Sequence, residues 1–271
     1  MGVDHLTEAT HDHRSRLSIV GLVDILGIRD LMKTDYSTAA DTIEALQDHL
    51  AGTIKKFPKL GIEIRSFSDS VFMLKPTGPI VKDSKGDFIE FCAFVSALMS
   101  DCLQGGIPLR GAISVGMVIT DPRRPVPEAR FLSGRPIWEV VDWEGKQDWV
   151  GVSFVPAETI RQYNTLSAFC DRAVYCEHVI TALVSEGLVA AFAIPNGAKT
   201  SAIQTVERGP DKGPAPGTKV NALCWPKEDL GHLNSLLEQV VTQIGNENLQ
   251  RKYANARKFI QEQMPRPSGV T

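Results

Sequence analysis

Residues 16–25 read R-L-S-I-V-G-L-V-D-I, an apolar run that carries Asp24 near its end and is followed shortly by Gly27. A run with hydrophobic residues on both faces is typical of a strand at the centre of a sheet. A glycine just after such a run indicates a turn. The sequence therefore predicts a central strand that ends beside an acidic side chain.

The segment after this strand predicts a helix and then a hairpin. Thr38 and Asp41 have the spacing of a capping box, which places the start of the helix there. Two short strands follow over residues 61–67 and 70–74, and only Ser68-Asp69 separates them, so we expect a hairpin with an acid at its tip. One face of the helix is expected to be apolar, formed by Ile43, Leu46, Leu50, Ile54 and Phe57.

The alternation of helices and strands continues to about residue 155. We predict a second helix from near Asp87 to the Gly105-Gly106 pair, a long strand over 108–120, a third helix from Ser133-Gly134 and a strand over 149–154. The order β-α-β-β-α-β-α-β begins with the six elements of the ferredoxin-like arrangement. We therefore expect an α/β (α+β) fold with a mostly antiparallel sheet and flanking helices. The second helix is expected to bury Phe88, Phe91, Cys92, Val95, Leu98, Met99 and Cys102.

The chain is expected to form a single large domain. We place a polar leader over residues 1–14, the domain over 15–264 and a tail over 265–271. Within the domain the core covers about 15–155, and a C-terminal extension covers about 156–264. The extension shows strand patterns at 188–194 and 220–223 and helical patterns at 233–244 and 249–260.

Composition excludes several classes of protein. The 271 residues carry a net charge of −3, which argues against a general binder of nucleic acid or acidic membranes. No apolar run reaches the roughly 18 residues that a membrane-spanning helix needs. The 5 cysteines are scattered without a C-x-x-C pair, so we expect buried free thiols rather than a metal site. These features favour a soluble, cytoplasmic protein.

Two acidic residues, Asp24 and Asp69, stand out by their positions. A ferredoxin-like sheet brings the end of the first strand beside the hairpin tip. A buried carboxylate is costly unless it is paired or bound to a metal, and converging carboxylates suit Mg²⁺ or Mn²⁺. On spacing alone, however, Asp24 can equally cap a turn, and Asp69 can be an ordinary hairpin residue.

Three motifs in the first half of the chain resemble those of the class III nucleotidyl cyclases. L-V-D-I-L-G at residues 22–27 resembles their F-x-D-I-x-G-F signature, and F-S-D-S-V-F at 67–72 resembles their second acidic motif. L-R-G-A-I-S-V-G-M-V-I at 109–119 is similar to a strand that reads L-R-x-G-I-x-x-G-x-V in that family. The resemblance covers about residues 15–155 and implies a class III cyclase core with a C-terminal extension.

The resemblance implies a site and a reaction. Asp24 and Asp69 would bind two Mn²⁺ or Mg²⁺ ions, with the backbone carbonyl of Ile25 as a further ligand. The ribose 3′-oxygen of a nucleoside triphosphate would attack the α-phosphate, releasing pyrophosphate and closing a 3′,5′-cyclic monophosphate. The segment from Leu22 to Arg29 would wrap the triphosphate with its backbone N–H groups; its members include Leu22, Gly27, Ile28 and Arg29.

The sequence departs from the purine cyclases at several positions. Leu22 stands where the family has phenylalanine, and Ser68 where it has glycine. The asparagine and arginine that hold the transition state in purine cyclases are replaced by Trp138 and Asp142. A guanidinium from Arg135 or Arg130 can take over that role, and we favour Arg135. Alternatively, each of the two is a solvated surface arginine.

The positions that read the base differ as well. They fall at Arg65 and Phe131, and such a chain resembles the pyrimidine nucleotide cyclases of bacterial antiphage (Pycsar) defence. Arg65 offers only hydrogen-bond donors, which suits the O2 and O4 of uracil better than adenine or cytosine. We therefore expect UTP to be cyclised best and CTP next. Alternatively, Arg65 binds Glu63 on the same strand face and the backbone reads the base.

The family resemblance also implies partners. We expect a homodimer whose active sites are shared between the two chains, and a cyclic nucleotide product that acts on a separate effector. Two other functions stay open: a catalytically dead cyclase-fold interaction module, and an adenylate or guanylate cyclase.

Overall fold

The computed structural model describes residues 14–78, 81–120, 132–147, 149–156, 172–185, 189–193, 219–223, 234–238 and 247–263. Its first half contains β1 (Arg14–Ile25), α1 (Ile28–Thr34), α2 (Tyr36–Lys56), β2 (Glu63–Phe67), β3 (Ser70–Pro76), α3 (Val81–Gln104) and β4 (Leu109–Thr120). Then follow β5 (Leu132–Ser133), α4 (Arg135–Lys146), β6 (Gly151–Phe154), α5 (Arg172–Ser185), β7 (Val189–Ala193), β8 (Lys219–Leu223) and α6 (Glu247–Gln263). Residues 234–238 are also helical.

The strands form one 8-stranded sheet in the order β2-β3-β1-β4-β6-β8-β7, with β5 paired to β4. All strand pairs are antiparallel except β4 with β6. The order β2-β3-β1-β4 is that of a ferredoxin-like sheet, and β1 is flanked on both sides by long partners. The predicted fold class, with its mostly antiparallel sheet and flanking helices, is confirmed.

Helices cover the two faces of the sheet around β1. A Cβ on Gly21 would come within 2.8 Å of the Phe91 ring, so this glycine lets α3 pack close to one face. Ser114 pairs with Val20 and donates a hydrogen bond to Glu139 of α4 (2.6 Å), which places α4 on the opposite face. The stripe predicted for the second helix is buried, although the helix begins earlier, at Val81.

The prediction for the first helix was wrong in three details. The cap of α2 is Asp35, whose carboxylate accepts bonds from the Thr38 N–H (3.1 Å) and hydroxyl (2.6 Å). Thr38 is therefore not the cap but the residue that donates hydrogen bonds to it. Both Asp35 and Thr38 are residue types that cap helices, and Asp35 is the one that directly precedes α2. A separate helix, α1, precedes α2. Ile54 is 42% exposed, whereas Leu46 and Leu50 are buried as expected.

Other boundaries shift by a few residues. The first predicted hairpin strand begins at Glu63 rather than at Gly61, whose φ of +64° breaks the extended conformation. β3 continues to Pro76, and the strand predicted from Trp149 begins at Gly151. The predictions for residues 1–13, 121–131 and 265–271 fall outside the described residues, as does the part of the predicted 233–244 helix beyond residues 234–238. No helix in the described part of the chain is long and apolar enough to cross a membrane.

Candidate active site

Asp24 lies near the end of β1, between Ser70 of β3 and Arg110 of β4 in the strand register. The Ser70 hydroxyl donates a hydrogen bond to Asp24 Oδ1 (2.7 Å). The backbone N–H of Ile25 donates to the carbonyl oxygen of Asp69 (3.3 Å), which ties the hairpin tip to the end of β1. The structure thus brings together the three residues that the sequence proposed as metal ligands.

Arg110 and Glu144 join this cluster, and sequence reasoning missed both. Arg110 Nη2 lies 3.8 Å from Asp24 Oδ2, and Arg110 Nε forms an ion pair with Glu144 Oε1. The side chains of Arg110, Asp24 and Glu144 are 18%, 17% and 10% exposed, so the pairs are largely shielded from solvent. Arg110 occupies the second position of the L-R-G-A motif, which is a local signal. Glu144 has no such signal, because only the packing of α4 over β4 brings it here.

Burial raises the pKa of Asp24 to about 7. The Ser70 hydrogen bond lowers this pKa, the charges of Glu144 and Asp69 raise it, and Arg110 lowers it. Burial also raises the pKa of Glu144, against the lowering effect of Arg110. Three acidic groups in a poorly hydrated region favour the approach of a cation.

The donor atoms fit a hard divalent cation. Asp24 and Asp69 supply carboxylate oxygens, and Ile25 can supply a backbone carbonyl, so all available ligands are oxygen atoms, as Mg²⁺ and Mn²⁺ prefer. Within the described residues, no group of three or more His, Cys, Asp and Glu side chains forms a metal site. An ion here would therefore take its remaining ligands from water or substrate phosphates.

The turn after β1 presents backbone rather than side chains. Gly27 has a φ of +86° and precedes the first residue of α1. Leu22 and Ile28 are 4% and 3% exposed, so their side chains belong to the core. Arg29 is exposed. Because the first N–H groups of a helix point off its end, this turn offers backbone donors beside Asp24.

Arg65 does not reach the acidic cluster. It lies on β2 at the sheet edge, on the same face as Asp24 but about 10 Å away across two strand spacings. Its Nε and Nη2 donate hydrogen bonds to Glu63 Oε1 (3.1 and 2.5 Å), which is the alternative that the sequence left open. Phe131, the other predicted base-reading residue, lies outside the described residues.

Arg135 also lies away from Asp24 of its own chain. It begins α4, whereas Glu144 lies near the end of that helix, about 13 Å further along the axis. Arg135 Nε is 3.7 Å from Glu139 Oε1, and its side chain is 41% exposed. Trp138 on the same helix is 75% exposed, and Asp142 pairs with Lys146 (2.7 Å).

A cavity of about 210 Å³ opens on the same sheet face as Asp24. Its lining includes Arg16, Ser18, Glu63 and Leu74, so the Glu63 carboxylate that holds Arg65 also borders the cavity. Ser18 and Asp24 both lie on β1, separated by roughly 20 Å of strand. The cavity and the acidic cluster therefore occupy opposite ends of the strands.

No protein-family model and no curated protein matches the chain. Among solved structures, the chain is similar to the adenylyl cyclase CyaB from P. aeruginosa, with 11% identity and a TM-score of 0.48 over 78% of this chain and 94% of that one. It is also similar to the guanylyl cyclase Cya2, with 13% identity and a TM-score of 0.43 over 78% of this chain and 92% of that one.

A third similar structure is the monomeric guanylyl cyclase domain of the RhoGC fusion protein from the aquatic fungus Blastocladiella emersonii. The identity is 12% and the TM-score 0.44, covering 67% of this chain and 92% of that domain. At these identities and TM-scores the similarities assign no activity to the chain.

Proposed function

We propose that this protein is a nucleotidyl cyclase that converts UTP or CTP to the 3′,5′-cyclic monophosphate and pyrophosphate. The main support is the meeting of Asp24 and Asp69 at the end of β1, where the Ile25 N–H binds the Asp69 carbonyl and Arg110 lies 3.8 Å from Asp24. These groups combine the ligands for divalent cations with a guanidinium for phosphate.

The residues of the site have distinct roles in this reaction. Asp24, Asp69 and the Ile25 carbonyl hold the metal ions. When bound, Mn²⁺ or Mg²⁺ lowers the pKa of the ribose 3′-hydroxyl and neutralises phosphate charge. Arg110 faces the phosphates and balances the charge that passes to pyrophosphate as it leaves.

The backbone N–H groups after Gly27 orient the triphosphate. The 3′-oxygen forms a bond to the α-phosphorus, the bond from that phosphorus to the pyrophosphate oxygen breaks, and the hydroxyl proton passes to solvent. Little covalent work falls to the protein, and positioning with electrostatic stabilisation supplies most of the catalysis.

We assign the base to the cavity that Glu63 and Arg16 line. Arg65, held on Glu63, and Arg16 are hydrogen-bond donors, and the Glu63 carboxylate is an acceptor. The O4, N3–H and O2 of uracil present an acceptor, a donor and an acceptor, which complement this set. Cytosine has an amine in place of O4, so we expect it to bind less well. A purine needs additional space for its second ring.

We further propose a head-to-tail homodimer. The base cavity and the acidic cluster of one chain are separated by roughly 20 Å along β1, so a second copy related by a twofold axis can bring its cavity to the first copy's metal acids. The same arrangement can bring Arg135 of one chain to the phosphates bound by the other. Each dimer then has two equivalent active sites.

We place the enzyme in the cytoplasm, where its cyclic nucleotide switches on a separate effector during antiphage defence. This part of the proposal rests on the resemblance of the sequence motifs to the Pycsar cyclases.

One experiment separates the alternatives. The purified protein is incubated with UTP, CTP, ATP or GTP and Mn²⁺, and cyclic product and pyrophosphate are quantified. The proposal predicts cyclic UMP as the main product, with cyclic CMP next. Faster turnover of ATP or GTP would identify a purine cyclase, and no product from any nucleotide would identify a dead interaction module.

A further inference from the structure

Helix α6, in the C-terminal extension, packs against the turn of the candidate active site. The Cδ1 and Cδ2 atoms of Leu249 lie 3.3 and 3.4 Å from the position that a Cβ on Gly27 would occupy. At the other end of the helix, the Phe259 ring packs edge-on against Trp149, with centroids 5.0 Å apart. The helix is thus docked at both ends, and the turn at Gly27 lies beneath its first part.

The docked face of α6 is well defined by burial. Tyr253 is 5% exposed, and the following inward positions are fully buried. On the partly exposed side, Arg257 Nη2 pairs with Glu238 Oε1 (3.0 Å), which adds a link to the helical residues 234–238. The fully buried members of the face are Ala256, Phe259 and Ile260.

Lys252 occupies this face between Leu249 and Tyr253. Residues three apart on a helix lie on the same side, so Lys252 follows Leu249 toward the site. Its side chain is partly buried. Its positive charge acts on Glu144, whose carboxylate pairs with Arg110. Lys252 is therefore a second cation beside the acidic cluster.

We propose that α6 forms a wall of the active site and that Lys252 binds the polyphosphate of the nucleotide. The inference rests on the proposed function, because it takes the ligand to be a nucleoside triphosphate. It goes beyond that function by assigning a catalytic-site role to the C-terminal extension.

The chemistry of the surroundings favours a polyphosphate as the ligand. The turn that Leu249 contacts follows Asp24 and Ile25 directly, so α6 lies at the end of the sheet where the metal acids meet. An ammonium group is a compact charge that suits phosphate oxygens. Arg110 is already shared between Asp24 and Glu144, so a triphosphate of high negative charge gains from a further cation at this end of the site.

The first test measures binding without turnover. Inorganic tripolyphosphate is titrated by calorimetry into the full chain, into Lys252→Gln and Lys252→Arg, and into the control Lys258→Gln, which changes an exposed lysine of the same helix. Loss of one charge-assisted hydrogen bond predicts about tenfold to hundredfold weaker binding for Lys252→Gln. Lys252→Arg keeps the charge and should stay within about threefold of the wild type, as should Lys258→Gln.

Three results would overturn the inference. The first is unchanged tripolyphosphate binding by Lys252→Gln. The others are a loss of tripolyphosphate affinity in Lys258→Gln, or in Lys252→Arg, as large as the loss in Lys252→Gln. A melting temperature is recorded for each variant, and a loss of binding is accepted only where the variant melts within a few degrees of the wild type. If Lys252→Gln melts lower, Lys252→Met, which removes the charge but keeps an unbranched side chain, replaces it with the same expected loss of binding.

Steady-state kinetics with UTP provide a second readout. The KM of Lys252→Gln should rise about tenfold or more, while uridine monophosphate inhibits it as well as it inhibits the wild type, because that ligand lacks the β- and γ-phosphates. If no nucleotide is cyclised, the proposed function fails, yet the tripolyphosphate titration still decides the role of Lys252. Equal KM values for UTP in the wild type and in Lys252→Gln would exclude a role of Lys252 in binding the polyphosphate.

Discussion

Arg110 lies directly opposite Asp24 in the β1–β4 pairing, with its Nη2 3.8 Å from Asp24 Oδ2, while its Nε pairs with Glu144 of α4. One guanidinium thus serves two buried carboxylates that come from different elements. Glu144 raises the pKa of Asp24, and Asp69 raises the pKa of both, so the arginine limits a repulsion that grows as the acids ionise.

Replacing Arg110 should therefore destabilise the protein in a pH-dependent way. Arg110→Met removes the guanidinium that Asp24 and Glu144 share, and we expect a loss of about 3–5 kcal/mol in the free energy of unfolding at pH 8. The loss should shrink at pH 5, because Asp24, whose pKa is about 7, then carries a proton and no longer needs the cation. Urea denaturation at both pH values measures the difference. Equal losses at the two pH values would contradict the shared-cation account.

The metal acids should be essential for turnover but not for folding. Asp24→Asn and Asp69→Asn should each lower the cyclisation rate by at least about a hundredfold, because each removes a ligand of the ions. Asp30→Asn, at an exposed position of α1, is the matched control and should keep near-wild-type activity. Circular dichroism checks the fold. Near-wild-type turnover in either metal-acid variant would disprove the two-metal assignment.

Asp24 should make the metal-free protein less stable as the pH rises. The pKa of Asp24 is about 7 in the folded state, against 3.8 for an aspartate exposed to water. As the pH rises, the unfolded chain therefore loses this proton before the folded protein does. The folded state is therefore penalised progressively from pH 3.8 to pH 7, and fully above that. Asp24→Asn removes the penalty, roughly 2–4 kcal/mol above pH 7 and little near pH 4.

Thermal melts of both proteins across this range, without added metal, measure the effect. A stability difference that does not depend on pH would show that Asp24 is ionised throughout. In the wild type, Mn²⁺ binding measured by calorimetry should strengthen as the pH rises through about 7, since the ion needs the carboxylate form.

Mixed dimers should restore activity if each site is shared. An Asp69→Asn chain keeps its base cavity, and an Arg65→Ala chain keeps its metal acids, so a heterodimer has one intact composite site. Mixing the two inactive or impaired variants should recover up to about a quarter of wild-type activity at equal amounts, given random pairing and one site in two. A fully active monomer in light scattering would exclude this arrangement.

Base preference should depend on the Arg65–Glu63 pair. We expect UTP to be cyclised best, CTP next and the purines poorly, with a UTP preference of about tenfold to hundredfold that Arg65→Ala reduces. Lys59→Ala, at an exposed position before β2, is the control. Better turnover of ATP or GTP would exclude the pyrimidine assignment, whereas CTP above UTP would exclude only the role given to Arg65.

The sequence by itself determined the elements that carry strong local patterns. The apolar run of β1, the two strands around Ser68-Asp69 and the stripe of α3 each follow from periodicity over a few consecutive residues, so neighbouring side chains decide them. The meeting of Asp24 with the hairpin tip also followed from the sequence, because a ferredoxin-like order fixes which strand ends are adjacent.

Only the tertiary structure decided the contacts between elements that are far apart in the chain. Glu144 reaches Arg110 because α4 lies back across β4, and Leu249 reaches Gly27 because α6 docks through Trp149 and Phe259. The pairing of Arg65 with Glu63 was one of two options in the sequence, and the side-chain geometry of β2 selected it. Periodicity shows which face of an element is buried, but the partner of that face depends on the packing of the whole chain.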